Sequence, residues 1–548
     1  MTTPSSTDNA SPNNLAALRD VRQLGFLAAI GSLSYVFWVV GAMEMIERLA
    51  FYGVHTVKGL YATAAVKDGG LGITMTDFGT ITGTWAFVQS ALPIVTGGLS
   101  DRFGYKQTIF LSTVLKIGGY LLMAAFPSFW GFFAGVIVLA AGTAIFKPGI
   151  QGTLVKASKR ENSSMAWGIF YQTVNIGGFI GPLLAGYMRK LAWHNVFLAC
   201  AAVISVNFLL LLTYKEPGKA EREAELAKAK AAGTQRNLVR ESLQELAKPH
   251  VWLYLLIFSG FWFMFMSLFD VLTLHLNDWV DTRDVVSTLR EAPGAVLGSL
   301  KAVGYAGAGV VAAVAGSVNQ AMGDGPVTAS DVVRFFVVLD KSGTQIQPEG
   351  MLNINSGLIM TTCFLFAYAS GKMSPINSMI VGTLLASGSL LLSGASTLGW
   401  ASVAAISVFS VGEMLSSPKF SEYIGNFAPE DKKGMYLGFS QMSLAIGWTL
   451  EGKLGPWLYG VYGSKDTFAR EYLAANGMAA DAVTAIPGGE AFQRLCAHLH
   501  QPDLAVTKML YAAHNPAIVW NIMAVVGLVT SAGIWWYGTW VSKRSRQA

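Results

Sequence analysis

The sequence predicts an all-α membrane protein, with twelve transmembrane helices arranged as two six-helix bundles. Three observations lead there. The 548 residues are 52% hydrophobic and only 13% charged, about half the charged share of a soluble globular chain. Apolar runs of about 20 residues, long enough to cross a bilayer, recur twelve times. They fall six and six around one polar segment, the layout of two repeated bundles. The same figures exclude a disordered, collagen-like or disulfide-framework protein. The net charge of +6 does not point to nucleic acid, because Lys and Arg sit in short segments between apolar runs, as topology signals do.

The predicted spans are 31–56, 77–99, 107–126, 128–153, 164–188, 194–213, 252–274, 352–371, 376–395, 398–424, 435–460 and 516–540. All should be helices, since lipid offers no partner to an open backbone. Residues 1–30 are polar, lack the order of a cleaved leader, and read as a cytoplasmic tail. An N-terminal bundle follows over 31–214, then a charged, Ala-rich cytoplasmic linker over 215–250. The C-terminal bundle covers 251–542, with external insertions at 275–347 and 461–515 and a tail at 543–548. Both termini are expected in the cytoplasm. Arg102, Lys106, Lys156, Lys159, Arg160, Lys372, Lys432, Lys433, Lys543, Arg544 and Arg546 then fall inside, with Arg189 and Lys190 as exceptions. Within the first insertion, 295–321 reads as an external helical cap. In the second, Cys496, His498 and His500 lack a second ligand group, and no metal is expected there. The other cysteines, Cys200 and Cys363, read as packing residues in apolar runs.

Charges inside spans are costly and mark function. The first span holds Glu44, Glu47 and Arg48, then Phe51, Tyr52 and His55, all on one helical stripe. Two carboxylates against one guanidinium leave an excess negative charge, which suits a proton-carrying group. A buried structural ion pair is the competing reading, but it accounts for only one Glu. The fourth span holds Lys147-Pro148, and the tenth holds Glu413, Ser416, Ser417, Pro418 and Lys419. These spans hold equivalent places in the two halves, so Lys147 and Glu413 are candidates for opposite poles of one cavity. Gly177 and Gly181 on the fifth span suit close helix packing, and Asn175 is a candidate to face the cavity. Lys116, Trp262, Asp270, His275, Glu451 and Lys453 rank below these. No nucleotide loop, metal-ligand helix or nucleophile elbow is present. The chain is therefore not expected to be an enzyme, and uphill transport would draw on an ion gradient, with no cofactor.

The run Gly98-Leu99-Ser100-Asp101-Arg102-Phe103-Gly104-Tyr105-Lys106 resembles the signature loop of the major facilitator superfamily. Glu44-Met45-Ile46-Glu47-Arg48-Leu49-Ala50-Phe51-Tyr52-Gly53 resembles the first-span motif of the proton-dependent oligopeptide transporter (POT) family. Further matches in family order are Phe146-Lys147-Pro148, Phe170-Tyr171 to Asn175, Phe261-Trp262, Gln347-Pro348-Glu349 to Asn355, and Gly412-Glu413 to Pro418.

The resemblance implies proton coupling by Glu44, Glu47, Arg48, Lys147 and Glu413. It implies solute binding by Tyr52, His55, Lys147, Asn175, Trp262, Glu413 and Ser417, and a gate at Asp101 and Arg102. The expected cargo is a small peptide or peptide-like solute taken up with protons, by a monomer in a bacterial inner membrane. The chain departs from the family where a usual arginine is His55, a tyrosine is Phe51, a second-span tyrosine is Ser90, and a seventh-span acid is Met266, with Asp270 one turn later. These departures keep a second solute class open: an amino-acid derivative, a muropeptide or nitrate. A non-transporting sensor is the remaining alternative.

Overall fold

The computed structural model describes residues 26–159, 162–220, 223–224, 243–291, 337–429 and 433–545. The expected cap helix at 295–321 and most of the linker lie outside them. Twelve long helices dominate the described chain: α1 Tyr35–Thr63, α2 Met75–Phe103, α3 Tyr105–Ala125, α4 Phe129–Ala157, α5 Ser163–Leu191, α6 Trp193–Leu212, α7 Pro249–Trp279, α8 Pro348–Gly371, α9 Pro375–Ala395, α10 Gly399–Phe427, α11 Lys433–Tyr462 and α12 Ala517–Ser545. Each predicted span has its helix. Eight are long and apolar enough by composition to cross a membrane. The remaining four, α1, α2, α5 and α11, are 29 or 30 residues long but fall short of that apolar measure. The protein is thus an integral, multi-pass membrane protein.

Packing repeats with an offset of six helices. In the first half α1 packs on α5 and α6, α2 on α4, and α3 on α4 and α6. In the second half α7 packs on α11 and α12, α8 on α10, and α9 on α10 and α12. The halves meet along α2 with α11 and along α5 with α8, two contacts that the same offset interchanges. Prolines follow the repeat as well: Pro148 in α4 matches Pro418 in α10, and Pro182 in α5 matches Pro456 in α11. Each removes one backbone donor inside a helix.

Two positions show why small residues are needed. A side-chain carbon at Gly177 or Gly181 would collide with the α1 backbone carbonyls of Met45 and Leu49, so the packing role expected of this pair holds. Gly104 joins α2 to α3 with a φ of 108°, a conformation that L side chains rarely adopt. That is why the turn within the signature loop is so short.

The face carrying Tyr35 and Ser545 is called the near face, and the opposite one the far face. On the far face, four short helices between α11 and α12 (Lys465–Ala475, Ala480–Thr484, Ala491–Leu499 and Asp503–His514) form a small cap. Phe468, Leu473, Leu495, Val506 and Leu510 give it a core of its own, seated on Trp279 at the end of α7. The Trp279 indole donates to the Gly463 carbonyl at 2.7 Å, and the Tyr511 hydroxyl donates to that of Gly394 at 3.0 Å. Cys496 is buried within the cap, and burial pushes its thiol up to about 11.

Candidate functional site

The stripe predicted on α1 forms, and it is buried: Glu44, Glu47 and Arg48 are 2%, 1% and 5% exposed. The Arg48 guanidinium pairs with Glu47 Oε2 and lies 3.4 Å from Glu44 Oε1. Lys116 of α3 donates to the other Glu47 oxygen. The expectation of excess negative charge is therefore corrected. Two carboxylates face two cations, and Lys147 of α4 lies within electrostatic reach of all three α1 groups. Lys116, placed low on sequence grounds, belongs to the centre of the site. It is 1% exposed, so it neither snorkels nor reaches solvent. Glu47 is held by two cations, whereas Glu44 is held by one, at longer range.

Lys147 is half-buried beside Pro148 and has no ion-pair partner within 4 Å among the described residues. Glu413, on the equivalent helix α10, is 8% exposed. It accepts one 3.0 Å hydrogen bond from the Asn355 amide of α8, which also donates to Ser410 Oγ at 3.0 Å. Among the described residues Glu413 pairs with no cation. Tyr52, Tyr171 and Glu413 lie within electrostatic reach of one another, so α1, α5 and α10 converge on one space. Asn175 donates to the Tyr171 carbonyl at 2.9 Å, one turn back along α5. Trp262 is buried among Phe258, Phe261, Phe265, Phe420 and Trp448, and its indole nitrogen has no hydrogen-bond partner among the described residues. Ser417 is half-buried, one residue before Pro418.

His55, a candidate solute-binding residue, is buried at 5% exposure. It is sandwiched between Phe51, Trp85 and Phe269 at centroid distances of 4.8, 5.0 and 5.4 Å. Its Nε2 is 3.2 Å from Met266 Sδ on α7. It therefore belongs to the contact between the halves. Asp101 and Arg102 fall in the last turn of α2, and their side chains lie outside the described residues.

The far half is sealed by contacts between the bundles. Lys58 of α1 lies 2.5 Å from Asp270 of α7. Arg189 of α5 pairs with Glu349 of α8 at 2.5 Å and donates to Gln347 at 3.2 Å. Thr82 of α2 donates to the Gly452 carbonyl of α11 at 2.6 Å, and Lys453 donates to Thr80 at 2.7 Å. Sequence reasoning missed Lys58, although it stands fourteen residues after Glu44 on the same stripe. It also missed Glu349 as a partner of Arg189, although both had been noticed separately.

Comparison with known proteins agrees with this architecture. The Major Facilitator Superfamily profile matches residues 26–338. A peptide transporter of Yersinia enterocolitica, YePEPT, is 30% identical over 191 residues, which are 33% of this chain and 37% of that protein. The uncharacterized transporter YclF of Bacillus subtilis is 28% identical over 217 residues, 38% of this chain and 42% of that protein. The chain thus spans about two fifths of the length of these two relatives. The multidrug resistance protein MdtH of Edwardsiella ictaluri is 22% identical over 374 residues, 68% of this chain and 75% of that protein. Among solved structures, a peptide transporter POT variant in complex with alafosfalin superposes with a TM-score of 0.54 at 16% identity, covering 95% of this chain and 98% of that one. Tetrameric PepTSo2 gives 0.55 at 15% identity, covering 93% and 99%. The chain belongs to the Major Facilitator Superfamily and has the fold of its POT transporters.

Proposed function

We propose that this transporter is a proton-coupled symporter that takes up small peptides or peptide-like solutes by alternating access. The observation that carries the reading is the pair Lys147 and Glu413. They stand on equivalent helices of the two halves, each without an ion-pair partner among the described residues. A solute with a carboxylate and an amine supplies the missing partner to both. The α1 cluster supplies the proton site. Glu44 is its loosely held carboxylate, and a proton there releases Arg48 and shifts the balance of charge facing Lys147. For coupling, solute and proton must bias the same conformational equilibrium, and both act on groups within reach of Lys147. The peptide-transporter relatives and the motif resemblance support the same reading. The motif resemblance favours a bacterial inner membrane, the basic loops favour both termini in the cytoplasm, and one chain holding both bundles favours a functional monomer.

A second solute class has its own observation. His55 stands where the family has an arginine that binds carboxylate and Met266 where it has a seventh-span acid, and the two are 3.2 Å apart here. These departures favour a different solute: an amino-acid derivative, a muropeptide or nitrate.

The deciding experiment is uptake of labelled dialanine into proteoliposomes with an inward proton gradient. Accumulation that collapses with an uncoupler, and is absent in Glu44→Gln and Lys147→Ala, is the expected result. No accumulation by folded wild-type protein would overturn the peptide assignment. Wild-type accumulation by either variant would overturn the coupling assignment.

A further inference from the structure

The far-face cap is an addition to the repeat, and it reaches across it. The second half places four short helices between α11 and α12, whereas the first half joins α5 to α6 through Ala192 alone. The cap is seated on the second half, through Trp279 and Gly394. Its turn 485–490 lies instead against the first half, on the turn 64–74 between α1 and α2. A side-chain carbon at Gly488 would collide with the Gly72 carbonyl. One at Gly489 would lie 2.7 Å from the Thr63 carbonyl oxygen and 2.8 Å from the Ala65 nitrogen. The two backbones therefore touch, at a distance that leaves no room for a side chain.

Both partners in this contact are held in shape. In the cap, the Arg470 guanidinium donates to the carbonyls of Val483, Ile486 and Pro487 at 3.1, 3.0 and 2.9 Å. Asp466 fixes that guanidinium at 2.9 Å and accepts from the Ala491 N–H at 2.8 Å. One ion pair thus clamps the turn 485–490 at both ends. Ile486 and Ala491 root it in the apolar core of the cap. On the first half, the N–H groups of Leu71, Gly72 and Ile73 donate to the carbonyls of Tyr61, Ala64 and Ala62 at 3.0, 2.9 and 3.0 Å. These bonds fold the turn back onto the end of α1.

Charge contributes little to the contact. Lys67 and Glu490 lie 3.3 Å apart, but their side chains are 53% and 25% exposed, and such pairs are weak. Fit between two fixed turns is what joins them. The contact links the halves only while their far ends are together. In alternating access, opening the far side parts the turns.

We propose that the cap is a clasp: its turn 485–490, shaped by Arg470, engages the turn 64–74 and biases the protein toward the far-closed arrangement. The cap then sets how often the central site opens to the far side. Asp466 and Arg470 are positioning residues, and Gly488 and Gly72 are the surfaces that meet. The inference rests on the alternating-access part of the reading above, but on neither the solute nor the proton sites.

The test reads conformation and needs no solute. Spin labels are placed at Trp130 and Leu398, exposed positions at the far ends of α4 and α10 and outside both turns. The full chain is used, with Cys200, Cys363 and Cys496 replaced by Ala, in lipid nanodiscs. The parent should give one dominant short distance. Gly488→Ala wedges the contact and leaves the inside of the cap alone, and Arg470→Met releases the turn. Each should raise the ratio of long to short distances about tenfold, because strain present only in the closed arrangement weighs against that arrangement alone. Lys508→Ala, on the exposed surface of the cap, should match the parent. If Arg470→Met fails to fold, Gly488→Ala carries the test. Distances unchanged from the parent in the clasp variants, or an equal shift in Lys508→Ala, would overturn the proposal. Unchanged distances beside dialanine uptake by the parent would leave the proposed function intact, whereas failed uptake beside shifted distances would leave the clasp standing.

Discussion

Lys116 on α3 binds the Glu47 oxygen that Arg48 on α1 leaves free, so one carboxylate joins two helices through two cations. This bridge makes the α1 cluster a property of the bundle and not of a single helix. It also separates the two glutamates chemically, because Glu47 is fully engaged and Glu44 is not.

Removing one arm of that bridge should be costly. Lys116→Met keeps the contact with the Phe146 ring, which the ammonium overlies at 3.9 Å, but leaves Glu47 short of a partner. A loss of about 3–5 kcal/mol is expected for breaking a buried pair. Glu47→Gln in the same chain should recover much of it, because the stranded charge is then gone. Thermal unfolding of the two single variants and the double variant in detergent measures the coupling. Additive losses would mean that the two side chains do not interact.

Glu413 should recognise an amine. Asn355 holds this carboxylate in place but contributes no charge. Glu413→Gln should therefore weaken competition by dialanine at least tenfold, while competition by N-acetyl-dialanine changes little. Equal losses for both competitors would place the amine elsewhere.

Two neighbouring glycines on α5 should respond differently to the same change. A methyl at Gly181 presses on the Leu49 carbonyl of α1, whereas one at Gly178 meets Ser356 and the Tyr52 ring at 3.4 Å, an ordinary contact. Gly181→Ala should lower stability by about 1–3 kcal/mol, as overpacking does. Gly178→Ala should leave the melting midpoint near that of the parent. Melting curves of both variants in the same detergent decide the matter.

Acid should loosen the far-face loop after α7. Asp281 is held below the usual aspartate value of 3.8 by hydrogen bonds from the Arg283 guanidinium. A lowered carboxyl contributes stability that is fully present above its unfolded value and lost as pH falls through the folded one. Asp281 also ties three segments together, through the Gln345 amide at 3.1 Å and backbone bonds to Thr397 at 2.8 Å and Gly399 at 3.0 Å. Hydrogen exchange of the 281–283 and 397–399 amides, corrected for its intrinsic pH dependence, should speed up below about pH 3.8. Unchanged protection there would show that the carboxylate does not hold the loop.

The helices were legible in the sequence because apolar run length is a local property. Their ends were less so. The first span was expected to stop at 56, yet α1 runs to Thr63. Lys58, two residues beyond that limit, is buried against Asp270, and the helix continues past it. The stripe from Glu44 to His55 was legible for the same local reason. Its charge balance was not, since Lys116 lies 69 residues beyond Glu47 and nothing in the spacing shows which way α3 faces. Glu451 was visible as a charge in a span, but its neighbour Asp270 comes from another helix. Which charges meet is a tertiary fact, and one sequence does not contain it in readable form.

The far-face cap breaks the six-helix repeat of the molecule. The two bundles resemble each other closely enough that a view of the membrane core alone is easily confused with its half-turn rotation. A compact polar body with its own core, fixed to Trp279 and Gly394, gives the particle a handle outside the detergent belt. It is a natural fiducial for orienting single-particle images, and a rigid surface against which conformation-trapping binders can be raised without touching the transport path.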